Sequence, residues 1–206
     1  MLIFALMRAY KFLCEKYGLE SIEKRRLKQS RVSDLNDPFE LRSFNLTNVV
    51  IRKTFEQTAE DVDKVSGMLC FSADWINPVM WAHYSDKHKG LCLGFDIPDL
   101  NEDPKNDAGY VRYVPQVFPF PSPAEFDKMP DDEHVDFARS ALFTKVDHWT
   151  YEKEIRSWGV LANEDHGLYF VPFGDQLRLA AGSSFNLLSL ARTSSASINS
   201  PRRAAA

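Results

Sequence analysis

Cysteine is scarce in this chain. Cys14, Cys70 and Cys92 are the full set, odd in number and without CxxC spacing. That argues against a disulfide scaffold and a zinc ribbon, and favours a reducing compartment. Long apolar runs are missing too. The opening MLIFALM stops at Arg8 after seven residues, too short to span a bilayer, and it lacks the basic start and small-residue cleavage site of a secretory leader. A cytoplasmic protein with no membrane partner is the expectation. Positive charge is not in excess: 25 Lys and Arg face 29 Asp and Glu, for a net charge of −4. No global basic field is there to drive non-specific nucleic-acid binding. GxGxxG, GxxxxGK[ST], HExxH and GxSxG are all absent, so no dinucleotide Rossmann turn, P-loop, zincin helix or serine-hydrolase elbow is supported. Internal repeats are also lacking.

What is present points to a folded domain. The 206 residues are 44% apolar and 13% aromatic, enough to build a real core. Met1–Phe12 reads as a first strand. Gly18–Lys28 reads as an amphipathic helix, with Leu19, Ile22, Arg26 and Leu27 near one face, and Gln29–Ser33 as a short extended piece. LNDPF at Leu35–Phe39 has loop chemistry, because Pro38 biases Asp37 out of the helical region. Asn48–Lys64 reads as a second helix and Met68–Ser72 as a strand end.

The densest segment is Cys70–Asp96, CFSADWINPVMWAHYSDKHKGLCLGFD, with two of four tryptophans, two of five histidines and two of three cysteines. In it Asn77 is a good N-cap, Pro78 suits the first helical position, and the helix is expected to run on to His88. Gly90 is placed as a left-handed stop. Leu91–Phe95 then reads as a strand, and Gly109–Val114 alternates like another. Pro115–Pro130 holds five of eleven prolines and reads as a loop. A helix over Glu133–Lys145 and strands over Tyr151–Leu161 and Gly167–Pro172 follow. From Ser189 the text turns to low-complexity Ser, Ala and Arg, which predicts a disordered tail over 189–206. The expectation is one α+β domain over 1–188, a mixed and mainly antiparallel sheet with flanking helices.

Several side-chain groups are candidates for chemistry. If WTYEKEIR (Trp149–Arg156) is extended, alternation puts Glu152, Glu154 and Arg156 on one face, the carboxylates about 7 Å apart. Such a pair beside a guanidinium suits a sugar hydroxyl or developing positive charge; a solvated face with neutralised glutamates is the plainer reading. His83 and His88 are about 140° apart around a helix and cannot share a metal. Packing against Trp81 and Tyr84 is the plainer role for His83. Cys70 and Ser72 lack a positioned base for nucleophilic work, although Ser72 can orient a neighbour. Lys24, Arg25, Arg26, Lys28 and Arg31 form a basic cluster, either a phosphate grip or a solvated helix face. Asp37, Glu40, Asp74 and Asp96 show no metal spacing, so no metal is expected.

YKF at Tyr10–Phe12, LNDPFE at Leu35–Glu40, CFS at Cys70–Ser72, the block Asn77–Asp96 and W-x-YEKEIR at Trp149–Arg156 together resemble the bacterial family filed as domain of unknown function 2971. The resemblance runs from about Tyr10 to Gly182. Beyond Ser183 the chain departs from it, which puts a C-terminal strand in question. The family name carries no activity. A second, looser resemblance is to ADP-ribosyltransferase-like domains, in an aromatic first strand, a strand ending in Ser and a late ExE pair. It implies NAD as substrate, in a toxin or phage-defence setting. Glu154, with Glu152 and Ser72, would then be catalytic, and Tyr10 or Lys11, His83 and Tyr84 would bind the cofactor. Arg31 or Arg156 would hold its pyrophosphate. The alternative is a non-catalytic regulatory domain that presents the Trp81–Tyr84 helix and the LNDPFE loop to a ligand or partner.

Overall fold

Arg25 adopts left-handed backbone angles (φ 51°) and so decides how the first helix ends. The structure is a computed structural model and describes residues 6–35, 44–45, 47–98, 107–126 and 128–185. The low-complexity stretch 189–206 and most of the LNDPFE loop lie outside the described residues. Strand β1 (Leu6–Leu13) leads into helix α1 (Glu15–Lys24), and Arg25 then turns the chain into β2 (Arg26–Gln29). The helix expected to reach Lys28 is therefore short by a turn. Leu27 and Gln29 are buried and alternate with more exposed Arg26 and Lys28, so period-2 pairing with a distant strand overrode the local helical pattern.

A 3-10 turn (Val32–Asp34) and the two-residue β3 (Phe44–Asn45) precede α2 (Val49–Val65). The helix expected over Asn48–Lys64 is there, capped by the Asn48 side chain, which accepts from the Val50 and Ile51 amides. β4 (Ser66–Ser72) follows, then α3 (Pro78–Tyr84), with the Asn77 side chain accepting from the Val79 amide and Pro78 in the first turn. The helix stops at Tyr84, a turn before His88. Asp86, Lys87 and His88 take positive φ instead of Gly90, and Gly90 serves another purpose. A Cβ there would lie 2.1 Å from the Leu13 carbonyl oxygen, so the position demands glycine for close backbone approach.

β5 (Leu91–Pro98) is continuous, but the alternating Gly109–Val114 segment breaks at buried Val111 into β6 (Ala108–Tyr110) and β7 (Arg112–Val114). The proline-rich loop contains β8 (Phe118–Pro119) and the short α4 (Pro123–Phe126). Next come α5 (Asp131–Leu142), β9 (Thr144–Val146) and a 3-10 turn (Asp147–Glu152). Lys153, with φ 43°, reverses the chain into β10 (Glu154–Val160). The strand expected to begin at Tyr151 thus begins three residues later, and the helix expected to reach Lys145 ends at Leu142. β11 (Tyr169–Pro172) and β12 (Arg178–Phe185) complete the order.

The main sheet has six strands in the order β12-β5-β1-β4-β10-β6, all paired antiparallel. Two-stranded ribbons β11-β2, β3-β8 and β7-β9 flank it, the last two parallel. The chain has an α+β fold, mainly antiparallel. On one face Ala9, Leu69, Phe71, Leu93, Phe95 and Ile155 form the main core. On the other, Phe12, Met80, Trp81 and Cys92 form a second, with the Trp81 ring edge-on to Phe12 at 5.3 Å. No helix among the described residues is long and apolar enough to cross a membrane.

β1 and β4 share a single registered pair, Tyr10 opposite Ser72. Below it β4 leaves β1 and bridges to Ser30 through Met68, and Gly67 lets the Ser30 carbonyl come close. The sheet therefore parts, and the pocket opens where it parts.

Candidate functional site

Tyr10, Ser72 and Glu154 occupy one row across three neighbouring strands, because Ser72 is in register with both of the others. Cross-strand partners have Cβ atoms about 5 Å apart, so the three side chains project side by side. They line a pocket of about 230 Å³ together with Lys11, Phe12, Ser30, Cys70, Met80, Tyr84, Lys145 and Glu152, among others.

The wall beneath is a buried ionic network. Arg156, 1% exposed, forks onto Glu154, with Nε to Oε1 at 2.8 Å and Nη2 to Oε2 at 3.0 Å, and its Nη1 donates to the Leu142 carbonyl. Lys145 stands between the two glutamates, its Nζ 2.9 Å from Glu152 Oε2 and 2.9 Å from Glu154 Oε2. The Tyr84 hydroxyl donates to Glu152 Oε1. The Glu154 amide donates to the Tyr113 hydroxyl oxygen at 2.8 Å.

Glu152 does not sit on the strand at all. It ends the 3-10 turn and reaches Lys145 because left-handed Lys153 folds the chain back before Glu154. Ser72 secures this arrangement: its Oγ donates to the Glu152 carbonyl at 2.6 Å and accepts from the Asp74 amide at 3.0 Å. Further stitches are the Ala73 amide to the Lys153 carbonyl and Asn77 Nδ2 to the Tyr151 carbonyl.

These surroundings separate the two acids. Burial works against ionising Glu154, but Arg156 and Lys145 outweigh it and hold the carboxyl at about 2. Burial also raises Glu152, and with a single cation, Lys145, against it the net direction stays upward. Glu154 is thus a fixed negative charge, while Glu152 is suited to take up a proton. Such a divergence within one pair separates an electrostatic role from an acid–base role. Burial lowers the Lys11 ammonium, against the pull of Cys70 and Glu154. Burial and the Glu154 charge push the Cys70 thiol up to about 12.

The structure brings Tyr10, Lys11, Ser72, Tyr84, Glu152 and Glu154 to one pocket. It does not bring His83 there: that ring is exposed, 5.9 Å from Tyr151. Arg31 lies over the Tyr169 ring at 5.0 Å, its Nη2 donating to the Tyr169 hydroxyl. Arg156 is behind Glu154, committed to it and to Leu142. The basic cluster is divided, with Lys24 on Glu20, Arg26 on Asp165 and Lys28 on Asp34. Among the described residues, no group of three or more His, Cys, Asp or Glu could hold a metal ion.

Lys145 and Tyr113 are the members that sequence reasoning missed. The flanking β-branched Thr144 and Val146 were the available signal for a strand at Lys145. Nothing local marks either side chain as a partner of the glutamates.

Residues 80–157 match the family model described as a protein of unknown function, DUF2971. The matched segment of this chain holds Tyr84, Lys145, Glu152, Glu154 and Arg156, the whole ionic wall, and stops short of Tyr10, Lys11 and Ser72. No curated protein and no solved structure matches the chain.

Proposed function

We propose that the chain is an NAD-consuming enzyme of ADP-ribosyltransferase-like or NAD-glycohydrolase type, with Glu154 as its key carboxylate. The observation that carries this reading is the Tyr10–Ser72–Glu154 row lining a pocket. It supports the element-order resemblance noted in the sequence.

In this reading Glu154 accepts a hydrogen bond from the 2′-hydroxyl of the nicotinamide ribose. An ionised carboxylate offers about four acceptor positions. Arg156 fills two and Lys145 a third, and the Cys70 thiol, a weak donor, contacts the same group. A ribose hydroxyl is the stronger donor and displaces the thiol. The C1′–N bond then breaks, its electron pair leaves with neutral nicotinamide, and the oxocarbenium carbon faces a permanent negative charge. An attacking hydroxyl, from water or a target, bonds to C1′ and passes its proton to Glu152. Loss of NAD, or modification of a target, is the effect that a toxin or phage-defence setting would use.

The test is incubation with NAD labelled in the nicotinamide ring, comparing wild type with Glu154→Gln. Release of label by wild type and loss in the variant is the expected result. Absence of both NAD binding and turnover in the wild type removes the reading. One observation favours a second reading: both Glu154 oxygens already have cationic partners, as in a purely architectural ion pair. A non-catalytic binding domain would bind ligand without releasing nicotinamide.

A further inference from the structure

The dinucleotide required above carries a diphosphate, and neither Arg31 nor Arg156 lines the pocket. We propose that Lys11 is the anion-binding residue of this pocket and that it takes the phosphate of a nucleoside-diphosphate ligand where β1 and β4 part; the nucleotide identity of the ligand rests on the reading above, the anion site does not.

Alternation along β1 places Lys11 on the face opposite Tyr10 and Phe12. In an unbroken sheet it would point into the core of Phe71 and Leu93. Because β4 leaves β1 after the Tyr10–Ser72 pair, the Lys11 side chain instead lines the pocket, and its Nζ donates to the Cys70 carbonyl at 2.8 Å. Among the described residues one donor is used, there. An ammonium has three, which leaves two for a ligand.

The charges of the pocket single out the same residue. Lys145 also lines it, but both glutamates neutralise that cation. Asp34 is paired with Lys28 at 2.9 Å. Among the described residues, Lys11 has no carboxylate within ion-pair distance. It is a half-buried cation whose charge an incoming anion would balance, and the partial burial makes such a contact stronger than it would be in open water. The volume also matters: about 230 Å³ is below the ~300–1,000 Å³ common for whole-ligand sites. A volume of that size suits a ribose and a phosphate, and in this proposal the adenine stays outside it.

Titration calorimetry with ADP-ribose, nicotinamide riboside (which has no phosphate) and inorganic phosphate tests this on the full chain. Lys11→Met should weaken ADP-ribose binding by roughly ten- to a hundredfold, the loss expected for a charged hydrogen-bond donor. Lys11→Arg should retain most of the affinity, and nicotinamide riboside should bind wild type and Lys11→Met alike. Equal affinity of wild type and Lys11→Met for ADP-ribose overturns the Lys11 assignment and leaves the enzyme reading in place. If wild type binds neither ADP-ribose nor nicotinamide riboside, the nucleotide identity of the ligand fails; phosphate binding lost in Lys11→Met then still supports the anion site, and no phosphate binding overturns it. Should Lys11→Met not fold, wild type alone decides, since ADP-ribose no tighter than nicotinamide riboside refutes the phosphate contact.

Discussion

Glu152 and Glu154 share one ammonium, Lys145 Nζ standing 2.9 Å from an oxygen of each, yet the fold drives them in opposite directions. Arg156 is the cause of the difference. It forks onto Glu154 alone, so Glu154 has two cations and Glu152 has one cation and a tyrosine hydroxyl. The single left-handed residue between them, Lys153, turns the chain so that both carboxyls reach the one ammonium.

Glu154→Gln should destabilise the fold as well as abolish the nicotinamide release proposed above. A neutral amide leaves Arg156 buried without its counter-charge, and breaking such a pair costs about 3–5 kcal/mol. Urea denaturation measures it. Adding Arg156→Met to Glu154→Gln should recover part of the loss, since the uncompensated charge goes with the guanidinium. A Glu154→Gln midpoint equal to wild type would contradict the network.

Acid stability should depend on both glutamates with opposite sign. The Glu154 carboxyl drops from 4.5 to about 2, so it contributes about 3 kcal/mol above its unfolded value, lost as the pH falls from about 4.5 toward 2. Glu152 is raised. It therefore favours the fold below its unfolded value, and that contribution is lost as the pH rises through its folded value. Glu152→Gln removes this acid-side compensation, so stability should fall more steeply from pH 7 to pH 3 than in wild type. Urea midpoints across that range decide it; an unchanged slope would count against the division of roles.

The thiols of Cys70 and Cys92 should be silent toward alkylation at pH 8 in the native protein. Burial raises both to about 12, with the Glu154 charge adding to it at Cys70, so the reactive thiolate is scarce. Mass spectrometry after iodoacetamide treatment, with and without urea, is the check. Prompt native labelling at Cys70 would mean that the thiol does not face Glu154.

Gly90→Ala should cost about 3 kcal/mol, at the upper end for forced overpacking. The new methyl would stand 2.1 Å from the Leu13 carbonyl oxygen, with Ser85 Oγ and the Cys14 Cα also closer than contact distance. Both backbones must move. A thermal midpoint within a degree of wild type would show that β1 and β5 have slack there.

Much of the local structure was legible because its causes are local. Asn48 and Asn77 cap helices through their own side chains, and Pro78 fits a first turn wherever it occurs. The errors fall where distant partners decide. Leu27 has helical spacing, yet β11 recruits it into a strand. Alternation runs through Gly109–Val114, but its two halves pair with β10 and β9, which no local pattern shows. Glu152 and Glu154 were expected to converge as neighbours on one strand; they converge through a turn and through Lys145.

The sequence by itself determined the residue types of the site and the capped helix beside it. It carried the WAHY-to-GFD and YEKEIR motifs that fall within the matched family segment, and the absence of metal, P-loop and Rossmann spacings. Tertiary structure alone decided which of those residues meet. Register across β1, β4 and β10 places Tyr10, Ser72 and Glu154 in a row, and the parting of β1 from β4 gives Lys11 access to the pocket. Burial then divides the glutamates, since a charge in low dielectric answers to whichever partners the fold brings within a few ångströms, however distant they are along the chain.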